Sequence, residues 1–237
     1  MPDATPTPAS GARAVKEETD DFLFEYSYPA EAGNIAELAL FLDRRLEASR
    51  TELAKNAAEG RETAGDNGFP FNKYFSGVEW EVVADTPRFL SMSADISSYS
   101  GGAHGNYGFS ALVWDKEQTV ALKPETFFES LDGVGEAVSE EFCDALNAER
   151  AKRRPDQPIE ANSVAEFDQC VDLSDTTLLL GSSGGEKFDK LGIQIGPYVA
   201  GPYAEGAYEF TFDIDQALLD AVKEEYRPFF AARNRAS

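Results

Sequence analysis

One histidine and two cysteines in 237 residues leave little of the chemistry most metal centres require. A single imidazole rules out a multi-histidine metal site, and the spacing of Cys143 and Cys170 matches no zinc pattern. No cofactor is expected. Basic residues are also scarce, with 21 Lys and Arg against 43 Asp and Glu, a net charge of -22. Such a chain is repelled by nucleic-acid phosphates and by anionic lipid head groups, so neither is expected as a partner. Basic proteins or other cations would be attracted, most strongly at low salt. No apolar run approaches the roughly 20 residues that span a bilayer. Membrane association is therefore expected only through a lipid anchor upstream of this sequence.

The two cysteines permit one disulfide in an exported chain; in a cytosolic chain they would be free and buried. The first 20 residues, rich in Pro, Thr, Ala and Ser as far as Gly11, suggest a flexible tether behind a removed export signal.

The remainder has globular patterning. Phe22, Phe24, Tyr26 and Tyr28 alternate with polar or smaller residues, predicting a half-buried strand over 21–28. Ile35, Leu38, Leu42, Leu46 and Leu53 make the apolar stripe of a helix capped by Asn34 and fading near Gly60, with a loop over 65–72. Strands are predicted near 78–82, 89–99, 107–114 and 119–122, joined by short turns as in an antiparallel meander. Val134, Val138, Phe142 and Leu146 mark a second helix, over 133–152, ended by Pro155 and Pro158. Strands over 176–180, 192–195 and 208–214 follow, then a helix capped by Asp215 and running to Tyr226. The predicted class is α+β, with antiparallel sheets and three main helices in two intertwined sub-domains, 21–115 and 116–237.

Three segments could carry function. His104 sits in Ser98-Ser-Tyr-Ser-Gly-Gly-Ala-His-Gly-Asn106, where glycines allow a tightly shaped loop. A histidine there can act as a general base, a metal ligand, a pH-sensitive ligand contact or a backbone-bonding loop residue. Ser100 and Asp95 are near in sequence but form no known triad signature. Gly181-Ser-Ser-Gly-Gly-Glu-Lys187 departs from a phosphate loop, because Glu186 and Phe188 occupy its defining positions. A hairpin turn is expected instead, and no nucleotide. Gly196-Pro-Tyr198 and Gly201-Pro-Tyr203, followed by Gly206-Ala-Tyr208, predict a looping excursion that presents tyrosines either to a ligand or to the core.

Together, Tyr99-Ser-Gly-Gly-Ala-His-Gly-Asn106, Leu122-Lys-Pro-Glu-Thr-Phe-Phe128 and the segment from Gly196 to Phe210 resemble the extracytoplasmic domains of unknown function in RsiV-like anti-sigma factors. Similar domains accompany PdaC-like deacetylases and occur as stand-alone bacterial lipoproteins. The resemblance implies a periplasmic or cell-surface binding or sensor module, with a lysozyme-like protein or an envelope glycan as ligand. His104, Tyr99, Asn106, Tyr198, Tyr203 and Tyr208 are the candidate ligand contacts, and no catalytic residue is assigned. A hydrolase acting on peptidoglycan and a structural envelope domain are the alternatives.

Overall fold

The computed structural model of the chain describes residues 11–154 and 167–233. Nine strands and four α-helices occur among them. The strands are β1 (Arg13–Glu18), β2 (Phe22–Tyr28), β3 (Tyr74–Asp85), β4 (Phe89–Tyr99), β5 (Asn106–Asp115), β6 (Val120–Leu122), β7 (Thr177–Gly181), β8 (Lys190–Ile195) and β9 (Tyr208–Asp213). The helices are α1 (Ala30–Gly33), α2 (Ala36–Asn67), α3 (Leu131–Arg153) and α4 (Gln216–Ala221). The strands form a six-stranded sheet in the order β1-β2-β3-β4-β5-β6 and a three-stranded sheet in the order β7-β8-β9. The class is α+β. Pairing is antiparallel at β1–β2, β5–β6, β7–β8 and β8–β9. The exception is β2–β3, which is parallel, so the helical connection between them is a crossover rather than part of a meander.

Two compact units interleave along the chain. Unit 1 takes the described residues of Met1–Val82 with Ala94–Tyr107; unit 2 takes Val83–Ser93 with the described residues of Gly108–Ser237.

In unit 1, β2 alternates as its sequence demands, burying Phe22, Phe24, Tyr26 and Tyr28. Leu38, Leu42, Leu46, Leu53 and Ala57 form the buried stripe of α2, which packs on β2. Trp80 from β3 joins them, its indole N–H donating to the Tyr26 hydroxyl at 3.0 Å. Several expectations need correction here. Arg13–Glu18, inside the span read as a tether, forms edge strand β1; its polar character hid it, because only one face of an edge strand needs apolar residues. Residues 1–10 of that span, like Pro155 and Pro158, lie outside the described residues. Asn34 does not cap α2, whose N-cap is Ile35, without a side-chain cap bond. The helix also passes through Gly60 and Gly65 and stops at Gly68, which adopts φ 69°. Gly60 is there for packing: a Cβ would lie 2.3 Å from the Tyr74 hydroxyl oxygen.

In unit 2, Phe89, Phe127, Phe128, Phe188 and Phe230 are all buried. Their rings meet at centroid distances of 5.2 Å for Phe89–Phe127 and 5.4 Å for Phe188–Phe230, and Tyr226 lies 4.5 Å from Phe127. Around this cluster pack Val134, Val138, Phe142 and Leu146 of α3 and the inner residues of β7–β9. The Ser130 hydroxyl caps α3 by accepting from the Gly133 amide at 3.0 Å. Asp215 caps α4 in the same way, through Leu218, but the helix ends at Ala221 rather than Tyr226. Val222 turns extended there and bridges Phe128, so tertiary pairing overrides the apolar periodicity. The 181–187 segment is the expected hairpin connection, with the Ser182 hydroxyl donating to the Lys187 carbonyl oxygen at 2.6 Å.

Candidate functional site

Tyr99, His104 and Asn106 belong to unit 1, whereas Tyr198, Tyr203 and Tyr208 belong to unit 2. Each group is described separately.

The first group surrounds the loop between β4 and β5. Gly101 and Gly102 take φ of 96° and 91°, in the left-handed region that favours glycine. Gly105 has a different role: a Cβ there would stand 2.8 Å from the Ser98 carbonyl oxygen, so the loop closes through close backbone approach. Tyr99 donates its hydroxyl proton to the Gly102 carbonyl oxygen at 3.1 Å. His104 is exposed, with Nδ1 2.8 Å from the Gly105 carbonyl oxygen, and Asn106 is exposed beside it. The imidazole therefore meets solvent on a loop shaped by three glycines. Among the described residues, no group of three or more His, Cys, Asp or Glu could hold a metal ion.

The second group is built differently. Tyr198 is 52% exposed and holds φ 69°, a left-handed conformation that a tyrosine adopts only when its surroundings fix it. Its ring lies 5.4 Å from that of Tyr203, giving a tilted aromatic pair. Pro197 and Pro202 precede the two tyrosines and limit the freedom of the backbone. Tyr208, expected among the ligand contacts, is 1% exposed and belongs to the core. It opens β9 facing inward, and its hydroxyl donates to Glu205 at 2.5 Å. Burial first, and the neighbouring Glu205 carboxylate second, push its pKa up to about 12.

Three arginines at the end of α3 fasten this loop, and sequence reading missed them. Arg150 is completely buried and donates to the carbonyl oxygens of Ala200 at 3.0 Å and Gln169 at 2.9 Å. Arg154 grips both oxygens of Glu205, at 2.5 and 2.8 Å, and also reaches Asp168 at 3.2 Å. Arg153 donates to the carbonyl oxygens of Glu205 and Ala207 and lays its guanidinium 3.8 Å from the centre of the Tyr208 ring. Burial alone would raise the Glu205 pKa, but Arg154 and the Tyr208 hydroxyl outweigh it and hold the carboxyl below the usual range. Gly201 is required at the centre of the clamp, since a Cβ would lie 2.2 Å from Glu205 Oε2 and 2.8 Å from Arg154 Nη2. The repeated Gly-Pro-Tyr units thus combine a proline brace with one glycine that admits the ion pair. The only available signal was the Arg150, Arg153 and Arg154 cluster itself, which in sequence looks like an ordinary basic helix end.

A disulfide joins Cys143 on α3 to Cys170, with a Cα–Cα distance of 5.3 Å. It anchors the stretch that supplies Asp168 and the Gln169 carbonyl oxygen to the clamp.

Residues 15–107 match a protein-family model described as Deacetylase PdaC. That stretch holds most of unit 1 and the His104 loop, and the tyrosine loop lies beyond it. Among solved structures, the chain is similar to a DUF3298 family protein from Pseudomonas aeruginosa PAO1. Identity is 18% and the TM-score 0.56, with 94% of this chain and 96% of that chain covered. A DUF3298 member from Bacteroides fragilis NCTC 9343 matches at 17% identity and a TM-score of 0.42, covering 85% and 88%. No curated protein matches the chain. The Pseudomonas structure shows a shared fold over nearly the whole length. Among the described residues, no helix is long and apolar enough to cross a membrane.

Proposed function

We propose that the protein is an extracytoplasmic binding module that engages its partner through the exposed Tyr198 and the half-buried Tyr203 beside it. The observation that carries this reading is the cost of holding that pair in place. An exposed tyrosine sits at positive φ on a loop fixed by the buried Arg150 and by the largely buried Arg154–Glu205 ion pair. Strain and buried ionic links are expensive, and a loop already ordered gives up little entropy on binding. Tyrosine adds a flat apolar face with a polar tip, which is why it is common among residues that dominate interfaces. The disulfide supports a location outside the cytoplasm, where such bonds persist.

The net charge of -22 favours a basic partner, and a lysozyme-like protein has the appropriate sign. An envelope glycan, stacking on the tyrosines, is the other ligand class. The role is binding rather than hydrolysis. Calorimetric titration with a basic c-type lysozyme, and separately with soluble muropeptides, tests the reading. Saturable binding that persists at physiological salt supports it. Heat that disappears with added salt reduces lysozyme binding to general charge attraction. Equal release of soluble fragments from peptidoglycan by the wild type and by His104→Ala, or release by neither, excludes a hydrolase acting through the imidazole.

A further inference from the structure

Unit 1 carries a second surface, independent of the tyrosine loop. The sheet formed by β1, β2, β3 and the first-unit part of β4 turns Phe24 and Tyr26 of β2 towards the core that α2 shares. Alternate residues face the other way. Strand register lines up Lys16, Glu25 and Gly77 in one row across that face, and Ala14, Ser27 and Glu79 in the next. These rows, with Phe75, Asp95 and Ser97, line a trough of about 340 Å³. That volume is at the lower end of ligand-binding pockets. Its depth comes from small residues, above all Gly77, where a Cβ would meet the Phe75 ring and the Ser97 hydroxyl, each at 2.8 Å.

The walls define what fits. Glu25, Glu79 and Asp95 bring three carboxylates, and Lys16 is the one cation among the lining residues, bonded to Glu25 at 2.6 Å. The trough is therefore negative overall, with an aromatic ring at its side. A guanidinium matches both features: it pairs with carboxylates in a planar fork and lies well against an aromatic face, while its aliphatic stem covers apolar surface. We propose that this trough is a docking surface for an arginine side chain presented by a basic segment of a partner protein.

The test is an amide NMR titration of the full chain, at physiological salt, with acetyl-Gly-Arg-Gly-amide and with the same peptide carrying citrulline, the neutral isostere of arginine. The expected result is saturable shifts centred on Ser27, Gly77 and Ser97, with affinity at least tenfold weaker for citrulline. The double variant Glu79→Gln, Asp95→Asn alters two exposed side chains, so its spectrum should remain that of the folded protein while arginine affinity falls at least tenfold. Tyr198→Ala should leave this titration unchanged, which separates it from the tyrosine-loop reading. Absence of saturable shifts, equal binding of citrulline, or undiminished binding by the double variant would each overturn the proposal.

Discussion

The two units stabilise themselves by different means. Unit 1 rests one long helix on one face of a sheet, through a leucine stripe and a row of alternating aromatics. Unit 2 encloses a cluster of phenylalanines, then adds a disulfide and an arginine clamp. The difference teaches where function can reside. Unit 1 leaves a sheet face with a trough in it. Unit 2 instead fixes a surface loop so tightly that a tyrosine can be held exposed and strained.

The comparison is broken most directly at the aromatic core. Phe127→Ala removes a ring in contact with Phe89, Phe188, Tyr226 and Phe230, and should cost about 4 kcal/mol. Leu42→Ala, at the fully buried stripe of α2, should cost about 3 kcal/mol. Urea unfolding measures both, and a reversed order would show that unit 1 has the more demanding core.

Next comes the cross-link. Cys143 and Cys170 lie 27 residues apart, and opening that loop by double substitution to Ser should cost about 3.5 kcal/mol in the chain-entropy account. Thermal unfolding with and without reductant provides the check: reductant should lower the wild-type Tm and leave the variant's unchanged.

The clamp is expected to follow. Arg154→Ala strands the largely buried Glu205 carboxylate and should cost about 3 kcal/mol. Glu205 also makes stability depend on pH. Its folded pKa is lowered, so its contribution is complete above the ordinary glutamate value and is lost as pH falls through the folded value. Denaturation between pH 6 and pH 3 should therefore show an acid-side loss that is smaller in Glu205→Gln. An unchanged profile would remove Glu205 from the account.

The smallest structural effect expected is at a helix start. Ser130→Ala deletes the cap of α3 and should cost about 1 kcal/mol, measured by urea unfolding. No equivalent change exists at α2, because its N-cap residue Ile35 makes no side-chain cap bond.

Much of this architecture was legible from periodicity alone. The alternation of Phe22 to Tyr28 and the four-residue recurrence of Val134, Val138, Phe142 and Leu146 identify their elements because burial on one face imposes those periods. What escaped was set by distant contacts. Edge strand β1 has little apolar signal, Gly60 in α2 answers to Tyr74, and α4 ends early because Val222 pairs with Phe128. Of the candidate site, the tyrosines were visible but their fates were not. Tyr198 and Tyr208 occupy similar Gly-x-Tyr units, yet one is exposed and the other buried, because Glu205 and Arg153 hold the Tyr208 side.

The central claim is that the clamped tyrosine pair is a contact surface rather than packing. The most direct measurement is calorimetric titration of a basic c-type lysozyme, at physiological salt, into the wild type and the Tyr198→Ala, Tyr203→Ala variant, with unfolding curves recorded for both. The account predicts saturable one-to-one binding by the wild type and a loss of about 2 kcal/mol or more in the variant, with Tyr198→Ala alone changing stability by less than about 0.5 kcal/mol. Equal affinity in the two proteins, or no binding by the wild type, would contradict it.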